Sequence, residues 1–435
     1  MVLMPHWPKS PLISCNRNDL VDIKKILDNL GNPEKSLPPI IHVAGTNGKA
    51  STISFLQGIF TSANYKIHAH MSPHIHRCNE RIIIAGEEVS DDYLHQILEE
   101  VRLNSGNINL TFSEAMIIAA ILTFSRNDAD ICFIESGMGG RIDPTNAIDD
   151  KILSIITPIS FDHEKFLGQT IYAIASEKSH IMRTNIPAII GPQALDARKA
   201  IEIRSLVIDN VLRHFDQDFD IEINENNSFN FKYGDSLLQN LPKPSLEGEH
   251  QYINSSLAIA TIFTLEEFYP NKFKINEDHI RNGLENAKNP GRLEKIDIIH
   301  PYLGKNDEIW LDGAHNIGGF YALARWLEEQ IVDDEMNDIE RENYLLVGFT
   351  EGKVREEFFS FFEEMIDFIC SIRVAGEPNP ENAEIIANKI ININNSCRDD
   401  ISDAINFLSQ RSKKSCRIII CGSLYLARDL REFCN

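Results

Sequence analysis

A lysine set directly behind a glycine-rich turn is the residue with the plainest chemical use in this sequence. The run Ile40-Ile-His-Val-Ala-Gly45-Thr-Asn-Gly48-Lys49-Ala-Ser51-Thr52 passes from an apolar stretch into a turn and at once into helix-favouring residues. Strand, glycine turn and helix N-terminus in that order make an anion site. Gly45 and Gly48 let backbone N–H groups point inward, the helix start adds partial positive charge, and Lys49 adds a full one. The spacing departs from the common GxxxxGK[ST] loop, because Val43 stands at its first glycine and Ala50 at its hydroxyl position. The alternative is an ordinary strand-to-helix turn that carries a lysine.

A second group of chemically capable residues is His68, His70, His74, His76 and Cys78. Their H-x-H-x3-H-x-H spacing fits no familiar structural zinc pattern, and Pro73 interrupts it. They are expected to be strand or loop residues. The eight cysteines contain no CxxC pair and are expected to be free thiols in a reducing compartment. The formal charge of −22 argues against nucleic acid as a partner, since phosphate backbones need a positive surface. No signal-like apolar segment opens the chain, and the longest apolar run, Ala115 to Phe124, is far below the ~18 residues of a membrane span. A cytoplasmic protein without a membrane partner is expected.

The elements that must position these residues alternate between β-branched runs and helical patterns, which predicts an α/β architecture with largely parallel sheets. Expected strands are Pro39–Ala44, Asp130–Glu135, Ile152–Thr157, Pro187–Gly191, Glu308–Leu311, Tyr344–Gly348 and Arg417–Cys421. The clearest helix is Ala50–Phe60, with Ile53, Leu56, Ile59 and Phe60 expected on one buried face. At 435 residues the chain is long enough for two or three domains. Pro290-Gly291 marks a linker, dividing a larger domain, 1–288, from a smaller one, 289–435.

The GTNGK spacing, followed by a small residue and a hydroxyl, resembles the Mur ligase superfamily and, within it, the folylpolyglutamate synthase and dihydrofolate synthase family. The resemblance runs along most of the chain. Ser72-Pro73-His74 with Asn79-Glu80-Arg81 is similar to an SPH…NER segment. Glu135 to Asn146 is similar to E-x-G-x-G-G-R-x-D-x-T-N. Asp162-His163 with Leu167-Gly168, and then Glu177-Lys178, resemble DHxxxLG and an EK pair. Gly248-x-His250-Gln251 with Asn254, Pro290-Gly291-Arg292, Asp312-Gly-Ala-His315-Asn316 and Gly422-Ser423-Leu-Tyr425-Leu follow in order.

That resemblance implies a P-loop-containing, Mur-ligase-like central domain carrying the phosphate loop at 45–51, and a smaller Rossmann-like α/β domain that completes a glutamate ligase. It implies ATP-driven amide formation between a pterin or folate carboxylate and L-glutamate through an acyl phosphate, with dihydropteroate or a reduced folate as acceptor. ATP and Mg²⁺ are the implied cofactors, K⁺ is a further candidate, and a monomer is expected. Gly45, Thr46, Asn47, Gly48, Lys49, Ala50, Ser51 and Asn254 are the implied ATP contacts of the first domain. Arg292, Asp312, His315 and Ser423 are those of the second, with a capped turn as the alternative for the Arg292 and Asp312 motifs. Ser72, Glu135 and His163 are the implied metal ligands, and Lys49, His163 and Lys178 the catalytic set.

Lys178 joins the metal ligands if it is carbamylated, which requires a neutral amine and therefore burial or nearby cations. His180, standing where the family has glycine, is the cation expected to help. A surface lysine beside Glu177 is the alternative for Lys178, and a solvated strand-end carboxylate the alternative for Glu135.

Thr111, Phe112, Ser113 and Glu114, together with Ile142, Asp143 and Pro144, are the implied pterin or folate contacts. Ser113 replaces a family aromatic, and Leu12-Ile13-Ser14-Cys15 lacks a family carboxylate. Each such loss would weaken dihydropteroate binding by about 1–3 kcal/mol. Folylpolyglutamate synthase activity alone is therefore a standing alternative to both activities. Two others are a cell-wall Mur ligase, disfavoured because only 44 residues precede Gly45, and a non-catalytic nucleotide-binding module, disfavoured because Lys49, Ser72, Glu135 and His163 are all present.

Overall fold

The computed structural model describes residues 7–8, 19–297, 303–304, 306–375, 377 and 379–434. Leu12 to Cys15 lie outside them. The chain divides into two units. One is Met1–Ser245 with Gln251–Lys288, and the other is Asn289–Asn435 with the short excursion Leu246–His250, which composition does not signal.

The first unit is built on an eight-stranded sheet. Its strands are β1 (Ile40–Ala44), β2 (Ile67–His70), β3 (Ile82–Ile84), β4 (Glu87–Glu88), β5 (Ile131–Glu135), β6 (Leu153–Ile156), β7 (Ala188–Ile190) and β8 (Leu212–His214), in the order β4-β3-β2-β5-β1-β6-β7-β8. From β2 to β8 every pairing is parallel, and β3 and β4 form an antiparallel edge. Parallel strands covered on both faces read as unbroken apolar runs, which is why β1, β5, β6 and β7 are legible. The strand β2 reads Ile-His-Ala-His and is not, because two imidazoles replace its apolar residues. A separate antiparallel sheet, β9 (Phe219–Ile223), β10 (Phe229–Tyr233) and β11 (Ser236–Leu241), is absent from the expected strands.

Nine helices are assigned to this unit among the described residues: α1 (Val21–Asn29), α2 (Lys49–Ser62), α3 (Asp91–Asn104), α4 (Phe112–Ser125), α5 (Glu164–Leu167), α6 (Ile171–Ser179), α7 (Leu195–Ile208), α8 (His250–Phe268) and α9 (Glu277–Asn286). Helix α2 corrects the one-face expectation: Ser51, Thr52, Ser54 and Phe55 are buried along with Ile53, Leu56, Ile59 and Phe60. Its outer side is covered by α9. A Cβ on Gly58 would lie 2.6 Å from the Gly283 carbonyl oxygen, so glycine on both helices permits this approach.

The second unit holds a six-stranded sheet of β12 (Glu294–Ile296), β13 (Glu308–Leu311), β14 (Arg341–Val347), β15 (Phe368–Ile372), β16 (Asn395–Arg398) and β17 (Ser415–Cys421), ordered β12-β13-β17-β14-β15-β16. All pairings but the β12 edge are parallel. Helices α10 (Ile317–Met336), α11 (Glu357–Ser360), α12 (Ala383–Ala387), α13 (Ile401–Arg411) and α14 (Tyr425–Cys434) accompany it. Strand β14 starts three residues earlier than expected. Arg341, Glu342 and Asn343 break its apolar pattern yet pair in register with Ser415, Cys416 and Arg417.

Candidate active site

Four adjacent parallel strands, β2, β5, β1 and β6, bring their carboxyl ends together, and the sequence-predicted residues of the first unit begin there. Ser72 lies two residues past β2, Glu135 is the last residue of β5, and Gly45 directly follows β1. Open α/β sheets bind ligands at this edge. A Cβ on Gly45 would fall 1.9 Å from Thr157 Oγ1, and one on Gly48, whose φ is +87°, would fall 2.2 Å from Asn254 Oδ1. Both glycines are therefore required by close approach, and Asn254 on α8 is brought against the loop.

The loop differs from expectation in one respect. The N–H groups of Thr46 and Asn47 donate to the Pro158 carbonyl at 3.0 and 3.3 Å, so they hold the turn and are not available to phosphate. The first-turn N–H groups of α2, from Lys49 to Ser51, are the ones for which the helix supplies no acceptor. Lys49 Nζ donates to the Thr46 and Gly45 carbonyl oxygens at 3.1 and 3.3 Å and lies 3.9 Å from Glu135 Oε1.

Glu135 is buried, which removes the reading of a solvated strand-end carboxylate. Its Oε2 accepts the Ser72 N–H at 2.8 Å, so Ser72, Glu135 and Lys49 form one corner. A carboxylate oxygen at this edge is a hard donor that fits Mg²⁺, which takes few protein ligands and keeps water and phosphate oxygens for the rest. Among the described residues no three His, Cys, Asp or Glu side chains converge as a ready-made metal cage. His163 caps α5 with a left-handed φ of 52°, and its Nε2 lies 3.8 Å from Asp162 Oδ2.

Lys178 is not a surface lysine. It is 5% exposed on α6, and its Nζ donates to the Gly45 carbonyl oxygen at 2.6 Å. Burial, followed by the charge of Lys49, lowers its pKa to about 7. The cation that acts on it is therefore Lys49 and not His180. The His180 imidazole donates from Nδ1 to the Ser176 carbonyl at 2.7 Å, and burial lowers its own pKa. Glu177 pairs instead with Arg141 at 2.9 Å.

The expected acceptor contacts are corrected in part. Thr111 and Glu114 close a capping box on α4: Glu114 Oε2 takes the Thr111 N–H at 2.7 Å, and Thr111 Oγ1 takes the Glu114 N–H at 3.2 Å. The Phe112 ring is fully buried, with the Arg81 guanidinium over it at 5.1 Å, so it offers no face for stacking. Ser113 stays partly exposed, as do Ile142 and Pro144. Asp143 is buried. Its Oδ2 accepts the Met138 N–H at 2.8 Å and its Oδ1 the Thr145 N–H at 3.0 Å.

His68, His70 and His74 are held toward the neutral form by burial and act as structural groups. His68 stacks on Phe124 and lies 2.9 Å from the Asn127 carbonyl. His74 Nδ1 accepts from Arg81 Nε at 2.8 Å, and burial lowers the pKa of both His70 and His74 to about 3.

In the second unit, Arg292, Asp312, His315 and Ser423 share the carboxyl edge of β13 and β17. Asp312 accepts from Leu293 N at 2.9 Å and Ala314 N at 2.8 Å, which is the geometry of a closed turn. Arg292 fills the space beside Gly313, where a Cβ would meet Nη1 at 2.4 Å. His315 Nδ1 lies 2.7 Å from the Gly313 carbonyl, Gly422 N donates to Ala314 O at 2.7 Å, and Ser423 Oγ donates to Glu377 at 3.3 Å.

Ser160, Thr157 and Gln193 are loop-supporting residues that sequence reasoning missed. Thr46 Oγ1 donates to the Ser160 carbonyl and accepts the Ser160 N–H, each at 3.1 Å, and Gln193 Nε2 donates to the Thr157 carbonyl at 3.0 Å. Their signal is the placement of β6 beside β1, which is a matter of strand order and not of local pattern.

The profile of the Mur ligase middle domain matches residues 43–262, and that of the dihydrofolate synthetase C-terminal domain matches residues 294–433. The chain is 29% identical over 434 residues to a Bacillus subtilis dihydrofolate synthase/folylpolyglutamate synthase, covering 94% of this chain and 93% of that protein. It is 32% identical over 338 residues to the Buchnera aphidicola (Acyrthosiphon pisum) enzyme of the same name, covering 77% and 74%. Among solved structures, the Yersinia pestis bifunctional folylpolyglutamate synthase/dihydrofolate synthase with AMPPNP and Mn ion matches with a TM-score of 0.82 at 25% identity, over 98% of this chain and 95% of that one. Both units thus carry the parts of an ATP-dependent ligase, and the chain belongs to the dihydrofolate synthase/folylpolyglutamate synthase family of the Mur ligase fold.

Proposed function

We propose that this ligase joins L-glutamate to the carboxylate of dihydropteroate and to that of reduced folates. The observation that carries the chemistry is the corner in which Lys49 and Ser72 meet the buried carboxylate of Glu135 beside the Gly45 turn. ATP phosphates lie on the first-turn N–H groups of α2, with Lys49 on the transferring phosphoryl group. The acceptor carboxylate attacks the γ-phosphorus and ADP leaves, giving an acyl phosphate. The glutamate amine then attacks the acyl carbon, loses a proton, and phosphate departs. No covalent enzyme intermediate is required, so positioning and charge compensation are the whole task. Ser72, Glu135 and His163 are the residues that would hold Mg²⁺, which would offset phosphate charge when bound.

Lys178 is the second element of the reading. A group with a pKa of about 7 is partly neutral at physiological pH, and a neutral amine is the form that adds CO₂. Carbamylation would convert this donor into an anionic oxygen ligand. Lys178→Ala is expected to lose activity and to regain part of it with a short carboxylic acid in the buffer. A bare amine in a crystal grown with bicarbonate would remove carbamylation and leave the ligase reading intact.

Activity on both acceptors is supported by the two synthase activities for which the Bacillus subtilis and Yersinia pestis proteins are named. A cytoplasmic setting is supported by the free thiols of Cys78, Cys132, Cys370, Cys397, Cys416 and Cys421. The test is glutamate-dependent ADP release with dihydropteroate and tetrahydrofolate offered in parallel. Release with both supports the reading; release with tetrahydrofolate alone reduces it to folylpolyglutamate synthase activity; release with neither overturns it.

A further inference from the structure

His42 is an imidazole in the middle of β1, in a strand otherwise made of Ile40, Ile41, Val43 and Ala44, and it is 0% exposed. A buried polar ring in such a strand is costly unless it is hydrogen-bonded. Its Nε2 lies 2.9 Å from Thr145 Oγ1 and 2.8 Å from Ser136 Oγ. The Thr145 hydroxyl donates to Asp143 Oδ1, which also takes the Thr145 N–H at 3.0 Å. The ring thus ties together the strand that ends at the phosphate loop, the residue after Glu135, and the turn that carries Asp143.

Hydrogen accounting assigns the tautomer. The Thr145 hydroxyl hydrogen is spent on Asp143, so a hydrogen on His42 Nε2 lets both Thr145 Oγ1 and Ser136 Oγ accept from the ring, whereas a bare Nε2 would take the Ser136 hydrogen and leave its contact with Thr145 Oγ1 without one. His42 Nδ1 has no hydrogen-bond partner among the described residues. With the hydrogen on Nε2 this atom is an orphaned lone pair. The opposite tautomer would bury an orphaned N–H, which proteins rarely tolerate. Burial, reinforced by Lys151, Arg183 and His70, lowers the His42 pKa well below its ordinary value, which keeps the ring neutral.

We propose that His42 is a positioning residue for the acceptor side of the site: its Nε2–H holds Thr145, and through it Asp143, in the orientation that meets the pterin or folate. The inference rests on the reading that Asp143 contacts the acceptor. Geometry gives that carboxylate a place beside the metal-binding corner. A Cβ built on Gly137 would lie 3.5 Å from Asp143 Oδ2 and 3.7 Å from Ser72 Oγ, so the two groups flank one glycine.

The test uses the full chain, ADP release with dihydropteroate and tetrahydrofolate, and ¹⁵N spectra of the imidazoles. The wild type is expected to show His42 protonated at Nε2 alone. His42→Leu and Thr145→Val are each expected to raise the acceptor KM about tenfold, the scale of one lost hydrogen bond, and to leave the ATP KM unchanged. His42→Gln retains an N–H donor and is expected to keep most of the affinity. A purely structural role would instead raise both KM values together, and that result, or an Nδ1-protonated ring, overturns the proposal. If His42→Leu does not fold, Thr145→Val and the wild-type spectrum still decide. Asp143→Asn separates the two claims. An unchanged acceptor KM in Asp143→Asn overturns the Asp143 reading and the His42 inference with it. A raised KM there with none in Thr145→Val overturns the His42 inference alone.

Discussion

Lys178 in the first unit and Arg417 in the second are both buried cations, 5% and 2% exposed, and their surroundings are opposite. Arg417 lies between two carboxylates, Glu308 at 3.1 Å and Asp334 at 3.0 Å, with the Asn343 side-chain oxygen also at 3.1 Å. Arg341 joins the same pair of acids, 2.6 Å from Glu308. Lys178 faces the neutral carbonyl of Gly45, and its charged form is opposed by Lys49. The difference follows from place. Glu308, Arg341 and Arg417 sit toward the amino ends of their strands, where charges neutralise one another and hold the sheet together. Lys178 packs against the turn at the carboxyl end of β1, where burial and Lys49 outweigh the carboxylates of Asp162 and Asp143 and disfavour its charge. Burial of an ionisable group therefore says little until its partners are counted.

The comparison breaks most visibly at Arg417. Arg417→Ala leaves two buried acids short of a partner and is expected to cost about 3–5 kcal/mol of stability in chemical denaturation. Retention of full stability would show that the network is dispensable.

Lys49→Ala should do the reverse: turnover falls by about 10²–10³, as for loss of one preorganised charge on a transferring group, while the thermal midpoint stays within a few degrees. Near-normal ADP release in that variant would remove the phosphate-loop assignment.

The acids of the network sharpen the contrast through pH. Burial pushes the Glu308 carboxyl up, but Lys295, Trp310, Arg341 and Arg417 overcome this and hold it at about 2. A depressed carboxylate contributes stability that is present above its ordinary pKa and is lost as pH falls toward the folded value. The stability gap between the wild type and Glu308→Gln is expected to be on the order of 2–3 kcal/mol at neutral pH and to close progressively as pH falls from about 4.5 to about 2. A gap that is flat with pH would mean the carboxylate charge is not what the network uses.

Lys178 has the opposite sign. Its folded pKa of about 7 lies below the ordinary 10.5, so the unfolded chain binds the extra proton and burial costs stability at low pH. In bicarbonate-free buffer Lys178→Met is expected to be more stable than the wild type at pH 6 by about 1 kcal/mol, the loss of the bond to Gly45 offsetting part of the gain. That advantage should shrink as pH rises through 7 toward 10.5. A variant less stable at every pH would place Lys178 among the structural cations with Arg417.

How much of this was legible depends on whether the residues that matter are contiguous. The phosphate loop reads directly, because strand, glycines and lysine follow one another within Ile40–Thr52. Glu135 also reads directly, as the last residue of an apolar strand before glycines. The Arg417 network does not, because Glu308, Asp334, Arg341 and Arg417 come from separate elements and look like ordinary surface charges until the strand order is known. Ser160 and Gln193 were invisible for the same reason. The segment Thr111 to Glu114 carried two messages. Its Thr-x-x-Glu spacing before an apolar run is a helix capping signature, and the structure uses it that way, with Phe112 in the core. His42 stands inside the most informative run of the chain but carries no local signal, because its partners Ser136 and Thr145 are far away in sequence.

The account turns on phosphoryl transfer from ATP to an acceptor carboxylate at the Lys49 turn. The most direct measurement labels the acceptor carboxylate with ¹⁸O and analyses the phosphate released during glutamate-dependent turnover. An acyl phosphate passes one carboxylate oxygen to phosphate at each turnover, so labelled phosphate in step with product is the expected result. Unlabelled phosphate accompanying normal product formation would contradict the account.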